Sequence, residues 1–403
     1  MNVGVIGCGA SGMMAAITAS RNGHNVVILE HNENPGKKLL STGNGKCNYT
    51  NNLMNHNYYN ENGCELFDSV YAKFTNADTI KFFEEIGVYP YEKNGYYYPR
   101  SEQASSVVTC LVNEVKSLNV KTIYNCNIIK IEKEKDFIVK TDKGDFAFNK
   151  LIMATGSNAA PKTGSDGSGY GFAIKLGHKV KKPLPALCGL KCEEEHTNFK
   201  DISGVRCKAK VSLIINDKEI KSDIGELQLT DYGISGIPVF QISGEALRLH
   251  DKAEKVRINV DYAPEFELNI LTDLILKRCE HMKGNSILDL FEGLFNSKLG
   301  SHFIEKANND IKKFELENVT EDIAKKLASI IKNNIYNLKG HRGFDNCQVC
   351  SGGIELNEVK MTLESKLCKG LYFAGEILDI NGECGGYNLQ WAWSSGYTAG
   401  LLQ

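Results

Sequence analysis

The sequence predicts an α/β protein whose doubly wound, nucleotide-binding domain is split by an inserted β-domain and a helical domain. Three observations predict it. A G-x-G-x-x-G run, Gly7-Cys8-Gly9-Ala10-Ser11-Gly12, sits between apolar runs near the start. Alternating apolar and polar residues from about 189 to 265 give way to helical spacing up to 334. The last sixty residues then hold one more short apolar strand and a glycine-led helix.

The first element is Val3 to Ile6, a short apolar run of the kind that makes a buried parallel strand. The glycine run follows, then Met13 to Arg21 as a helix, then Asn25 to Leu29 as a second strand ending at Glu30. Strand, glycine turn, helix, strand and acid make the context in which this motif binds a dinucleotide. Gly7 permits the turn, Gly9 lets backbone approach a pyrophosphate, and Gly12 lets helix and strand pack closely. The helix start offers unpaired N–H groups and the positive end of its dipole to phosphate. A Glu30 carboxylate at the strand end accepts the hydroxyls of an adenosine ribose and disfavours a 2′-phosphate, so NADP is not expected there. This unit alone leaves NAD and FAD open.

From Pro35 to Asn48 the chain is glycine-rich and polar, and is read as a loop with backbone free to lie against something flat. Thr79 to Ile86 and Ser105 to Leu118 carry helical spacing, with Ser105 as a cap. Leu151 to Gly156 is another apolar strand, ending in Ala154-Thr155-Gly156, a tight turn beside a bound cofactor. The glycines from Gly164 to Gly171 follow no apolar strand and precede no ribose acid, so no second nucleotide site is expected. Ala209 to Ile215, bounded by Asn216-Asp217, reads as a hairpin strand. In the glycine-spaced Gly225 to Pro238, Tyr232 and Ser235 either line a substrate cavity or serve a tight corner, with the corner favoured. Tyr336 to Gly340 would return the chain to the first domain.

Lys and Arg number 47 against 49 Asp and Glu, so no bulk field draws the chain to nucleic acid or anionic lipid, and neither partner is expected. The thirteen cysteines are scattered and expected to be reduced. Cys347-Gln-Val-Cys350 lacks the second pair that zinc needs; read as a strand, it would place its thiols on opposite faces. No metal is expected. The opening residues have no basic leader and no stretch approaches twenty apolar residues, which predicts a cytoplasmic protein. A monomer is the default.

Leu371 to Glu376 is a last short strand ending in an acid. Gly385-Gly386-Tyr387-Asn388-Leu389-Gln390 then opens the final helix. N–H groups at that helix start would stabilise the negative charge of a reduced isoalloxazine, a charge that nicotinamide does not gain. That difference is the physical reason for expecting FAD.

With these motifs on the page, the chain resembles the bacterial NAD(P)/FAD-dependent oxidoreductases that include aminoacetone oxidases and BaiN-type reductases of bile-acid dehydro-intermediates. The resemblance covers nearly the whole chain and rests on Gly7 to Gly12, Lys38 to Asn48, Ala154-Thr155-Gly156, Gly225 to Pro238, and Met361 to Gln390. It implies an FAD-binding Rossmann-like domain of glutathione-reductase type in two parts, 1–188 and 335–403, with a β-domain at 189–265, a helical domain at 266–334 and FAD at their junction. It implies that Gly7, Gly9, Ala10, Ser11 and Gly12 meet pyrophosphate and Glu30 the ribose. Lys38, Leu39, Ser41, Gly43, Gly45 and Asn48 approach flavin and ribityl. Thr155, Gly156 and Gly375 flank the cofactor, Glu376 meets the ribityl chain, and Gly386, Tyr387, Asn388 and Leu389 lie at the flavin N1/O2 side. Asp231 and Cys384 depart from the family's usual residues, which bears on substrate rather than on FAD.

The expected activity is hydride transfer between FAD and a small organic substrate, as a reductase of an activated C=C bond fed by NADH or NADPH docking transiently. The alternatives are an amine oxidase using oxygen and a tRNA-modifying flavoprotein. No acid–base residue stands out; Tyr97, Tyr98, Arg100, Tyr232 and His341 are the polar candidates.

Overall fold

A computed structural model describes residues 1–60, 63–307 and 315–403. Residues 308–314, within the stretch expected to be helical, lie outside the described residues. Two compact units are present, Met1–Pro185 with Phe344–Gln403, and Ala186–Gly343.

The first unit is built on a parallel sheet. Its elements begin with β1 (Asn2–Ile6), α1 (Ala10–Arg21), β2 (Asn25–Leu29) and α2 (Lys37–Ser41). They continue through β3 (Thr50–Asn51), β4 (Pro90–Lys93), β5 (Tyr96–Pro99), β6 (Lys121–Ile123) and β7 (Lys150–Met153) to β8 (Leu371–Phe373) and α3 (Tyr387–Gly400). The sheet order is β8-β7-β1-β2-β6, with each pair parallel. β1 therefore has later strands on both sides, so the chain reverses direction across the sheet at the carboxyl end of β1. Open α/β sheets place ligands at such a switch point. Val3, Val5, Leu151, Ile152, Leu371 and Phe373 are fully buried, which explains their near-continuous apolar runs.

Helix α1 is buried on almost every side because α3 crosses it at close range. A Cβ at Gly396 would lie 2.5 Å from the Ser11 carbonyl, and one at Gly400 would lie 2.6 Å from that of Ala15. Glycines at i and i+4 thus open the face of α3 on which α1 rests. The Pro35–Asn48 segment is not all loop: Lys37–Ser41 is helical and Thr42–Gly45 forms a 3-10 turn. Its glycines hid these elements because two of its turn residues, Gly43 and Asn44, are left-handed. Helix Asn76–Glu85 starts earlier than its apolar spacing, at a Thr75–Asp78 capping box. Helix Ala104–Ser117 is preceded by Gln103, so Ser105 is not its cap.

In the second unit six strands close a barrel, in the order Leu190–Glu193, Gly233–Gly236, Lys218–Thr230, Arg206–Ile215, Arg257–Asp261, Asn334–His341. Asn216-Asp217, both left-handed, turns the longest hairpin. Tyr336–Gly340 does not leave for the first unit; it is inside the strand that completes the barrel. A helix, Ile237–Asp251, interrupts the β pattern, started by Pro238 and burying Val239, Ile242, Ala246 and Leu247. Tyr232 occupies the turn between two barrel strands under the Arg342 guanidinium, 4.8 Å from its ring centroid, while Ser235 is in the following strand. His341 ends its strand, where Nδ1 accepts the Gly343 N–H at 2.9 Å. Among the described residues no helix is long and apolar enough to cross a membrane.

His302, in helix Ser297–Ala307, is buried, and burial followed by the Lys306 charge lowers its pKa from 6.5 to about 4. A depressed histidine stabilises the fold at pH above 6.5 and loses that contribution as pH falls towards 4, by about 3 kcal/mol in full. Urea unfolding of the wild type is therefore expected to weaken between pH 6.5 and pH 4. His302→Gln is expected to flatten that limb; a variant with an unchanged pH slope would contradict the assignment.

Candidate functional site

The carboxyl ends of β1, β7 and β8 converge on the start of α1. The Gly7 turn is left-handed, and a Cβ there would press on the Ala154 carbonyl at 2.6 Å. A Cβ at Gly12 would lie 2.0 Å from the Gly7 carbonyl oxygen. Gly9 differs, because a Cβ added there meets nothing within 4 Å. It stands at the N-cap of α1 with no side chain capping the helix and no acid in the first turn. The N–H groups of Ala10, Ser11 and Gly12 have no acceptor within the helix, so the positive helix end faces open space.

Glu30 sits beside this turn. Its Oε2 accepts the Cys8 N–H at 2.6 Å, and its Oε1 accepts the backbone and side-chain N–H of Asn32 at 2.7 and 2.9 Å. Burial, with the Glu30 charge added, pushes the Cys8 thiol far up, so Cys8 is an inert apolar residue here. Ser11 donates to the Ala374 carbonyl at 3.3 Å, and a Cβ at left-handed Gly375 would lie 2.4 Å from Ser11 Oγ. Gly156 is left-handed and packs on Ser165. Thr155 Oγ1 is buried without a hydrogen-bond partner.

A polar cluster ties the early and late halves of this unit. Lys38 Nζ donates to Glu376 Oε2 at 2.5 Å, while Glu376 Oε1 accepts from Ser157 Oγ at 2.8 Å and from the Cys350 N–H at 2.9 Å. Cys347 and Cys350 do not face opposite sides. Their thiols hydrogen-bond each other, because Cys347 follows directly on the Phe344–Asn346 turn and its Sγ folds back to the Phe344 carbonyl at 3.3 Å. That bond lowers the Cys350 pKa against the opposing effects of burial and of the Glu376 charge, with Ser157 and Lys38 adding to the lowering. Neither is in a disulfide.

A second cluster joins the glycine loop to the final helix. Asn48 donates to the Tyr97 and Thr50 carbonyls at 3.1 and 2.9 Å and accepts the Gly386 N–H at 3.2 Å. Gly386 is the left-handed N-cap of α3. Asn388 holds its own loop, accepting the Gly382 N–H and donating to the Gly382 carbonyl, both at 2.8 Å. The Tyr387 ring stacks on Tyr58 at 4.6 Å, and its hydroxyl accepts from Asn51 at 3.3 Å. Burial pushes its pKa up. Behind the loop, Gln390 accepts from Thr50 and donates to Thr79 and Ser394.

The structure thus brings Gly7, Gly9, Ala10, Ser11, Gly12, Glu30, Thr155, Gly156, Gly375, Glu376 and Lys38 to one end of the sheet. It brings Asn48, Gly386, Tyr387 and Asn388 together at the start of α3. Other expected residues stand apart. The Leu39 side chain is in the apolar core, and Leu389 packs against that core. Ser41 is exposed and donates to the Lys38 carbonyl. Gly43 and Gly45 are exposed backbone. Ser157 and Asn51 escaped the sequence reading, and Cys350 and Gln390 were read there as parts of a strand and of a helix start, not as site residues; Ser157, next after Thr155-Gly156, carried a local signal.

This geometry fits a dinucleotide. An open space in front of a helix start and a carboxylate beside it are what the pyrophosphate and adenosine parts require.

The family described as "HI0933-like protein Rossmann domain" matches residues 1–402. Over 402 residues the chain is 37% identical to the 3-dehydro-bile acid delta(4,6)-reductase of Clostridium scindens, covering 99% of this chain and 98% of that one. It is 27% identical over 405 residues to the ribosomal RNA dihydrouridine synthase of Haemophilus influenzae, covering 98% and 97%. To the Escherichia coli protein of the same name it is 28% identical over 397 residues, covering 98% and 95%. The expectation against nucleic acid rested on net charge alone, and these two names leave it without support. With the fold, the helix-start space and a family match spanning both halves, the chain belongs to the HI0933-like Rossmann family and is an FAD-dependent oxidoreductase.

Proposed function

We propose that this protein reduces a carbon–carbon double bond conjugated to a carbonyl, with NADH or NADPH as electron donor and FAD as carrier, in the cytoplasm. The observation that carries this is the full-length likeness to a protein named for reducing a 3-oxo-4,6-diene. The two dihydrouridine synthase names describe the same chemical change, two hydrogens added across a C=C bond conjugated to a ring carbonyl. Thirteen cysteines without a disulfide suit a reducing compartment.

The N–H groups of Ala10, Ser11 and Gly12 would hold the pyrophosphate in the space before Gly9, and Glu30 the adenosine ribose. Lys38 and Glu376 would face the ribityl end as a neutralised pair, fixed by Ser157 and the Cys350 N–H. The N–H groups of Tyr387, Asn388 and Leu389 would stabilise negative charge on the reduced ring. When bound, FAD supplies a hydride-donating, two-electron reductant.

Anaerobic mixing with each nicotinamide tests the reading. Loss of the flavin absorbance with one of them is expected, followed by its return on adding a 3-oxo-4,6-diene steroid. Flavin unchanged by both donors would sink it. A second reading, reduction of uridine in ribosomal RNA, is favoured by the two further relatives, and dihydrouridine formed in a transcript would select it over the steroid.

A further inference from the structure

We propose that Tyr96 is the proton donor of this reduction, giving its phenolic hydrogen to the substrate carbon next to the carbonyl. The proposal rests on the enone-reductase reading and names a residue for it.

Strand alternation puts Tyr96 and Tyr98 on one face of β5 and Tyr97 on the other. Tyr97 turns inward, its ring 6.4 Å from buried Tyr49 and its carbonyl held by the Tyr49 N–H at 2.9 Å. Tyr96 and Tyr98 turn to the two glycine loops. Tyr96 Cε1 would be 2.7 Å from a Cβ at left-handed Gly385, and Tyr98 Cε1 would be 3.8 Å from one at Gly43. Because Asn48 binds both the Tyr97 carbonyl and the Gly386 N–H, β5 is fastened to the start of α3. The Tyr96 ring is therefore held against the glycine pair that opens the final helix.

The hydroxyls nearby differ in availability. Tyr59 donates to the Tyr387 carbonyl at 2.8 Å, and the Tyr387 hydroxyl is engaged by Asn51. Tyr98 is half-buried, and burial raises its pKa. Among the described residues no hydrogen bond engages the Tyr96 hydroxyl, and the residue is 37% exposed. A phenol keeps its proton at neutral pH and can pass it to a developing carbanion.

Enone reduction needs such a group. Hydride adds to the β carbon, the π electrons move onto the carbonyl oxygen, and the resulting enolate must gain a proton at the α carbon. Two electrons and one hydrogen come from an N–H of the reduced cofactor and one proton from Tyr96, so that N–H bond, a C=C π bond and an O–H bond break and two C–H bonds form. Solvent, which reaches the exposed ring, returns the proton to the tyrosinate.

The test is Tyr96→Phe beside Tyr98→Phe, with FAD content and melting temperature confirming that both fold and load. Flavin reduction by NADH or NADPH is expected to be unchanged in Tyr96→Phe. Flavin reoxidation by the 3-oxo-4,6-diene steroid is expected to slow about 100- to 1,000-fold, with the wild-type solvent deuterium effect lost. Steroid binding, read from quenching of oxidised flavin fluorescence, is expected to stay within about threefold. Tyr98→Phe reoxidation is expected to stay near wild type. Tyr96→Phe reoxidising at the wild-type rate with its isotope effect intact overturns the assignment, as does the loss appearing in Tyr98→Phe instead. If reduced wild type is not reoxidised by the steroid, the enone reading fails first and takes the assignment with it.

Discussion

Replacing Gly9 with valine is expected to give a folded protein that carries no FAD, whereas the same change at Gly12, three residues on, is expected to destroy the fold. The two glycines share one motif but answer different physical demands. Gly9 has an extended backbone, φ −86° and ψ −168°, that any residue adopts, and a Cβ there touches nothing within 4 Å. A Cβ there clears every protein atom by more than 4 Å, so the stability of the valine variant is expected within about 1 kcal/mol of wild type. The new methyls instead occupy the space before the α1 N–H groups, where a pyrophosphate must come close. A loss of FAD affinity of about a hundredfold or more follows, some 3 kcal/mol. Gly12 faces its own turn, with a Cβ 2.0 Å from the Gly7 carbonyl oxygen and 3.4 Å from the Ala154 side chain. Those are atoms of the turns that directly follow β1 and β7, which cannot yield without opening the carboxyl end of the sheet, and a cost of about 4 kcal/mol or more is expected. Visible absorbance and circular dichroism melting separate the two outcomes. A yellow, fully loaded Gly9→Val protein would remove the basis for placing the cofactor at this helix start.

The contrast also shows what a sequence carries and what it leaves out. The β1-α1-β2 unit was legible because its signals are local: buried apolar runs, glycine spacing and an acid at the strand end lie within thirty residues. The final helix was legible for the same reason, its left-handed cap written as a glycine pair. Lys38 and Glu376 were each expected at the cofactor, yet their pairing spans 338 positions and no local pattern encodes it. The barrel strand Asn334–His341 was misplaced for a related cause, since its partners Leu190–Glu193 and Arg257–Asp261 lie far back in the chain. Helix Ile237–Asp251 was different: Pro238 and the apolar spacing through Leu247 were readable, but the surrounding alternation masked them. Cys347 and Cys350 misled because strand alternation fails where a 3-10 turn runs directly into the strand.

Gln390→Ala is expected to cost about 3–5 kcal/mol. Gln390 is fully buried. Its Oε1 accepts from Thr50 Oγ1 at 2.6 Å, and its Nε2 reaches Thr79 Oγ1 and Ser394 Oγ at 2.9 Å and the Phe74 carbonyl at 3.4 Å. One amide thus joins β3, the start of helix Asn76–Glu85 and α3, three segments with no covalent reason to stay together. Truncation removes the bonds and leaves a void, and Thr50 and Thr79 lose partners that no water reaches. Gln390→Leu restores most of the volume and none of the bonds. Its expected loss of about 2–3 kcal/mol therefore isolates the hydrogen-bond part. A fall in melting temperature of about 10 °C for Gln390→Ala follows from the usual slope for a domain of this size, and a shift under 2 °C would refute the network. Since Thr50 also holds Asn48 through its carbonyl, and Asn48 holds Gly386, the damage reaches the start of α3. Weaker FAD retention is therefore expected in both variants, larger in Gln390→Ala because a cavity lets α3 shift where leucine keeps it in place.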